Sequence, residues 1–98
     1  MFIMNDRRFD LRMPTENAVN LSWRDQAGQE QYVPADLEDI SRSGASARVQ
    51  YPVKVGTILA LDYQKQQLVG KVRHCKSGLS GFILGIEFED GYQWSPRP

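Results

Sequence analysis

The chain has little of the chemistry that builds disulfides and metal centres. Its 98 residues include a single cysteine, Cys75, and a single histidine, His74. An internal disulfide needs two cysteines, and a zinc centre of the Cys-pair or multi-His type needs several such ligands. The sequence therefore predicts neither a disulfide nor a metal site. Proteins without disulfides are typical of the reducing cytoplasm, and we expect a cytoplasmic location.

Long apolar runs are missing as well. No stretch approaches the roughly 20 apolar residues that a helix needs to span a bilayer. The opening Met1-Phe2-Ile3-Met4 passes at once into polar and charged residues and lacks the apolar core of a signal peptide. We therefore expect no direct membrane insertion.

The chain also has no excess charge of either sign. It carries 12 Lys and Arg against 12 Asp and Glu, so its formal net charge is zero. A neutral chain does not coat DNA or an anionic bilayer by bulk attraction, and any anion must be met by a local cluster. With 41% hydrophobic and 24% charged residues, the composition excludes global disorder and predicts one folded domain.

Apolar residues recur with a period of two along most of the chain, which is typical of half-buried β-strands. The alternation is clearest where Phe82, Leu84, Ile86 and Phe88 share one parity. No segment has the 3.6-residue period of an amphipathic helix, and no C-terminal helix is expected. Together these signals predict an all-β antiparallel barrel or sandwich. The six predicted strands are 18–24, 29–39, 45–50, 57–63, 68–75 and 82–88.

The second predicted strand contains two irregularities. Pro34 cannot donate to a strand ladder, which indicates an edge position or a bulge. Leu37 and Ile40 have opposite parity, so the phase slips near Glu38 and Asp39, again as a bulge or turn would cause.

The chain divides into three predicted parts. Residues 1–16 are too irregular for a core strand and are expected to form a flexible arginine-bearing arm, residues 17–90 the barrel, and residues 91–98 a flexible tail. Trp94 lies in that tail, where it either packs onto the barrel mouth or stacks on a nucleobase; packing is the favoured interpretation.

Three arginines, Arg7, Arg8 and Arg12, fall within six positions just before the first predicted strand. The guanidinium group is a planar fork that grips phosphate oxygens in pairs and also stacks on nucleobases. The spacing of four lets Arg8 and Arg12 emerge on one side of a turn or helical segment. The alternative is a solvated basic segment, partly offset by Asp6 and Asp10.

A second polar cluster, Asp39-Ile40-Ser41-Arg42-Ser43-Gly44, lies where the strand phase breaks. In extended backbone Asp39 and Ser41 point to one face. A carboxylate can accept both the N1–H and N2–H of a guanine, and a serine can donate or accept. Gly44 suits a positive φ or a close backbone approach. The alternative is a plain turn built from these same residue types.

His74 and Cys75 do not indicate a catalytic pair. Adjacent strand residues point to opposite faces, and the alternation places His74 in phase with Val72. No other dyad, Gly-rich phosphate loop or paired-carboxylate arrangement is found in the sequence, so it predicts no enzyme and no catalytic residue.

The two polar clusters, taken together, resemble the sequence motifs of a known family. An Arg8-x-x-x-Arg12 segment before the first strand, followed by Asp39-x-Ser41-x-x-Gly44 between the second and third, resembles the PilZ domain family. The likeness implies a six-stranded antiparallel, split-barrel fold with a flexible N-terminal arm. The later segments 70–73 and 85–88 look like the fifth and sixth strands of the family.

The resemblance implies a bacterial receptor for the second messenger cyclic di-GMP. The arginine segment would wrap over the ligand, and the motif from Asp39 to Gly44 would hold a guanine. An arginine at position 7 implies an intercalated ligand dimer, and no other cofactor is expected. Ligand would order the arm, and the altered surface would regulate a downstream protein partner with an exopolysaccharide, motility or virulence output.

Two other functions remain to be weighed. Some members of the family act as nucleotide-independent adaptors between proteins. Single-stranded nucleic acid is a further candidate ligand for a small barrel with arginines and aromatics. Zero net charge and arginines concentrated in one segment disfavour nucleic acid as a partner.

Overall fold

The computed structural model describes the backbone of residues 13–95 and the side chains of residues 17–95. Within these bounds the chain forms six strands and no helix, and each neighbouring pair is antiparallel. The sheet closes on itself in the order β1-β2-β3-β6-β5-β4, which confirms the six-stranded antiparallel barrel. The strands are β1 Met13–Arg24, β2 Glu30–Ile40, β3 Gly44–Val49, β4 Ile58–Tyr63, β5 Gln66–Gly78 and β6 Gly81–Phe88.

The barrel interior is filled by aliphatic side chains from every strand, as the period of two predicts. Burying one such side chain contributes roughly 1.5–3 kcal/mol, so this interior is the main source of stability. Closure also removes the exposed sheet edges that invite aggregation. The fully buried core residues with the largest side chains include Leu21, Leu37, Ile40, Leu59, Leu61, Leu84, Val49 and Val72.

The predicted phase slip in β2 is a real irregularity of the strand. The β2–β3 register shifts between Leu37 and Asp39, so Leu37 and Ile40 both point into the core although they are three residues apart. Alternation from Ile40 then places Asp39 on the outer face. Pro34 lies opposite Asn20 of β1 and beyond the part of β2 that pairs with β3. It therefore occupies an edge-like position, as expected.

A second register shift, in β5, overturns one expectation. It falls between Val72 and His74, so Val72 is buried whereas His74 is exposed and Cys75 is half-buried. The expectation that His74 shares the inward face of Val72 is wrong, because the bulge reverses the alternation after Val72. The strand also continues to Gly78, so the predicted loop 76–81 is a hairpin with only two residues between the strands.

The first strand begins earlier than the alternation indicates. Met13 pairs with Ile40 and Pro14 with Asp39, and the register then shifts before Asn17. Backbone pairing does not require alternating side chains, and the shift removes the periodicity by which a strand is recognised. The barrel therefore starts at Met13 rather than at residue 17, and only residues 1–12 of the predicted arm lie outside the described backbone.

Alternate connections of an antiparallel barrel meet at the same end. One end, here called the motif mouth, comprises the start of β1, the β2–β3 turn 41–43, the β4–β5 hairpin 64–65 and the end of β6. Trp94 covers this mouth: it is 6% exposed and its ring lies 6.2 Å from that of Tyr63. The packing interpretation of Trp94 is confirmed, and the predicted tail is attached to the barrel as far as the described residues reach.

Candidate functional site

The β2–β3 turn is closed by its own serine. The backbone N–H of Ser41 donates to the Gly44 carbonyl at 2.8 Å, and the Ser41 hydroxyl donates to the same oxygen at 3.3 Å. The Ser41 residue is 1% exposed. Its role in the described structure is therefore to fix the shape of the turn.

Hydrogen bonds from outside the turn hold it in place. The Phe88 N–H donates to the Ser43 carbonyl at 2.8 Å, and the Trp94 N–H donates to the Arg42 carbonyl at 3.2 Å. These bonds tie the turn to the end of β6 and to the C-terminal segment. A ligand at the turn would therefore meet a preorganised surface, which lowers the entropic cost of binding.

Gly44 is required by a close approach of two strands. A Cβ atom at this position would lie 2.5 Å from the carbonyl oxygen of Ile86 in β6. The sequence offered two reasons for glycine at this position, a positive φ and a close backbone approach. The φ of Gly44 is not in the left-handed region, so the close approach is the reason that is confirmed. Gly44 thus lets β3 pack tightly on β6 directly after the turn.

Asp39 carries the carboxylate of the motif and lies on the outer face of the barrel. It is half-buried, and its backbone lies opposite Pro14 in β1 and Ser46 in β3. A carboxylate there can accept two parallel hydrogen bonds from a planar donor edge, as a guanine presents.

The predicted arginines Arg7, Arg8 and Arg12 lie outside the described residues. The described chain begins at Met13, which pairs with Ile40 at the motif mouth.

The arginines of β3 and β5, Arg48 and Arg73, form ion pairs with carboxylates. Arg48 forms ion pairs with Glu38 and, at 3.4 Å, with Asp36. Arg73 pairs with Glu87 at 3.0 Å. An anionic ligand would therefore have to compete with these carboxylates for the two guanidinium groups.

One feature of the outer face was missed by the sequence reasoning. Asp39 is opposite Ser46, Ser46 is opposite Gly85, and Gly85 is opposite His74, which forms a continuous row over β2, β3, β6 and β5. His74 joins this row only through the β5 bulge. No periodicity in the sequence marks that bulge, so the row could not have been found without the structure.

Metal and titration chemistry add little to the described part of the chain. Residues 17–95 contain no group of three or more His, Cys, Asp or Glu side chains that could hold a metal ion. The pKa of Asp25 is lowered, chiefly because the Gln29 N–H donates to its carboxylate, but Asp25 lies at the opposite end of the barrel. The described residues also contain no helix long and apolar enough to cross a membrane.

A closed β-barrel with a preorganised polar turn beside the start of β1 has the architecture of a small binding domain. The model of the PilZ domain family matches residues 6–93, and the chain belongs to this family. The match includes the three arginines and the whole turn motif. A comparison with curated proteins found no match. PilZ domains are binding domains of receptor type rather than a known enzyme family, and the family generally binds cyclic di-GMP.

Proposed function

We propose that this protein is a bacterial cyclic di-GMP receptor whose arginine-bearing N-terminal segment closes over a ligand held at Asp39. The observation that carries the proposal is the pairing of Met13 with Ile40 and of Pro14 with Asp39. The described chain therefore begins directly beside the turn motif, which supports a ligand contact by the arginines that precede it in the sequence.

The chemistry of the ligand matches what the two clusters offer. Cyclic di-GMP has two phosphodiester groups, each with one negative charge, and two guanines. Guanidinium groups bind phosphate oxygens in pairs and stack on bases. The Asp39 carboxylate is suited to the N1–H and N2–H edge of a guanine. Ser41 and Gly44 act indirectly, by shaping and anchoring the turn that holds Asp39 in place.

The signalling step follows from the same arrangement. Ligand bridges the arginine-bearing segment and the outer face of the barrel through charge-assisted hydrogen bonds, which orders the segment in one position. The composite surface of segment, ligand and barrel then engages a downstream protein. Regulation of exopolysaccharide synthesis, motility or virulence is the expected output, and the site of action is the cytoplasm.

The stoichiometry of binding is a further part of the proposal. Arg7 precedes the Arg8-x-x-x-Arg12 pair and supplies one more guanidinium group at the same place. A third cation can bridge a second, intercalated ligand molecule. Calorimetry is expected to give two ligands per chain, and one per chain for Arg7→Ala. A ratio of one for the wild type at saturation would contradict this part alone.

The central test is titration calorimetry of the full chain with cyclic di-GMP, with GMP and a short oligonucleotide as competitors for specificity. We expect saturable binding of cyclic di-GMP only. Arg8→Ala and Arg12→Ala should each weaken it by about 2–4 kcal/mol, because charged hydrogen bonds in a shielded site are lost. The matched control is Arg24→Ala, which removes an arginine at the opposite end of the barrel, paired there with Glu30. Wild-type affinity in the Arg8 and Arg12 double variant would refute the proposal.

The second candidate is a nucleotide-independent adaptor. The observation that favours it lies at the end opposite the motif mouth, where Leu79 and Tyr51 are 108% and 78% exposed. Exposed large apolar residues of this kind are suited to protein contacts. The absence of saturable cyclic di-GMP binding in the same titration would select this alternative.

A further inference from the structure

The row that begins at Asp39 crosses four strands on the outer face of the barrel. Neighbouring strands lie about 4.8 Å apart, so Gly85, two strands from Asp39, is about 10 Å away along the row. Between its ends the row contains Ser46 and Gly85, whose side chains are small or absent. Its two ends are a carboxylate at Asp39 and an imidazole at His74.

The position of the imidazole is well defined by its contact with Gly85. The Cε1 and Nε2 atoms of His74 lie 2.3 Å from the point where a Cβ of residue 85 would stand. The ring therefore lies across Gly85 and occupies the volume of the side chain that glycine lacks. His74 remains exposed, so the ring is accessible to a ligand from the outer side.

The chemistry of the two ends is complementary to opposite edges of one guanine. The N1–H and N2–H donors lie on one edge of the base, and the acceptor N7 lies on the other. Asp39 can accept from the first edge. A neutral or protonated imidazole always has an N–H donor, and N7 is an acceptor for it.

We infer that His74 is a ligand-contacting residue of this site, and that its imidazole N–H donates to N7 of the guanine whose opposite edge is held by Asp39. This inference rests on the proposed function and extends the site from the β2–β3 turn over two further strands to β5. It assigns Gly85 a matching role, because any larger residue would displace the ring.

The competing explanation is purely structural. An aromatic ring that covers a glycine in a neighbouring strand stabilises a sheet without any ligand. In that case His74 would affect the unfolding midpoint and leave affinity unchanged. Phenylalanine separates the two roles, because it keeps a flat ring over Gly85 and has no N–H to donate.

The experiment compares His74→Phe and His74→Ala in the full chain by calorimetry with cyclic di-GMP and by thermal unfolding. His74→Phe should keep the unfolding midpoint of the wild type and bind about 3- to 10-fold more weakly, the loss expected for one hydrogen bond. An analogue with carbon in place of guanine N7 should lose the same factor with the wild type and nothing further with His74→Phe. Wild-type affinity in His74→Phe would overturn the inference.

Gly85→Ala provides an independent check that leaves His74 in the chain. The φ of Gly85 is not in the left-handed region, so alanine is compatible with the backbone, and its methyl group would displace the ring. We expect Gly85→Ala to weaken binding in the wild type and to have no further effect in the His74→Ala background. An equal loss in both backgrounds would contradict the inference. If the wild type itself fails to bind cyclic di-GMP, the proposed function fails; if binding depends on Arg8 but not on His74, only this inference does.

Discussion

Trp94 offers the most direct test of how the C-terminal segment is attached to the barrel. Truncation of a buried tryptophan to alanine costs about 3–5 kcal/mol. The Trp94 Nε1–H is buried and has no hydrogen-bond partner among residues 13–95, and a donor left in this state costs the native state about 1–3 kcal/mol. Trp94→Ala removes both the packing and this penalty, so the expected net loss is about 2 kcal/mol.

Trp94→Phe separates the two contributions. Phenylalanine keeps a ring against Tyr63 but has no N–H to bury. The smaller ring leaves some space unfilled, and the removal of the unpaired donor offsets that loss. The expected stability is therefore within about 1 kcal/mol of the wild type.

The assay is equilibrium unfolding in urea, with Tyr92→Ala as the matched control. Tyr92 is 39% exposed and two residues away, and its truncation should change stability by less than about 0.5 kcal/mol. With a slope of about 1–2 kcal/mol/M, Trp94→Ala should lower the midpoint by about 1–2 M. An unchanged midpoint would show that Trp94 is not part of the core. If Phe is as costly as Ala, the reasoning about the unpaired N–H is wrong.

Three further predictions follow from the site and from the opposite hairpin. Gly44→Ala should destabilise the fold by about 1–3 kcal/mol, because its Cβ would meet the Ile86 carbonyl; an unchanged thermal midpoint would contradict the close approach. Asp39→Asn should weaken cyclic di-GMP binding about tenfold or more, because a charged acceptor is lost; equal affinity by calorimetry would remove Asp39 from the site. The pKa of Asp25 is lowered from 3.8, foremost by the Gln29 N–H, so its stabilising effect is complete above 3.8 and is lost as the pH falls through the folded-state pKa. Asp25→Asn should therefore be less stable than the wild type at pH 7, and this difference should shrink as the pH falls through the folded-state pKa of Asp25; a difference that does not depend on pH would contradict this.

Much of the fold was predictable because burial imposes a period of two on each strand. The six strands and the irregularity beside Glu38 follow from that alternation, and the antiparallel arrangement follows from the turn signals between short strands. The turn motif was also visible, because Asp, Ser and Gly are the residues that make such turns.

The rest was not predictable because it depends on contacts between distant parts of the chain. The β5 bulge moves His74 to the outer face, and no residue type near it marks the change of register. The start of β1 at Met13 depends on backbone pairing with Ile40, and no pattern of side chains in the segment indicates that pairing. The inward hydroxyl of Ser41 likewise follows from the turn geometry and not from the motif.

The two ends of the described chain lie at the same end of the barrel. Met13 begins the first strand at the motif mouth, and the Ser95 carbonyl accepts a hydrogen bond from Gln66 at the same end, at 2.9 Å. A label attached at residue 13 or residue 95 would therefore lie beside the site proposed for the messenger. Energy transfer between two such labels would report a change at this end of the barrel.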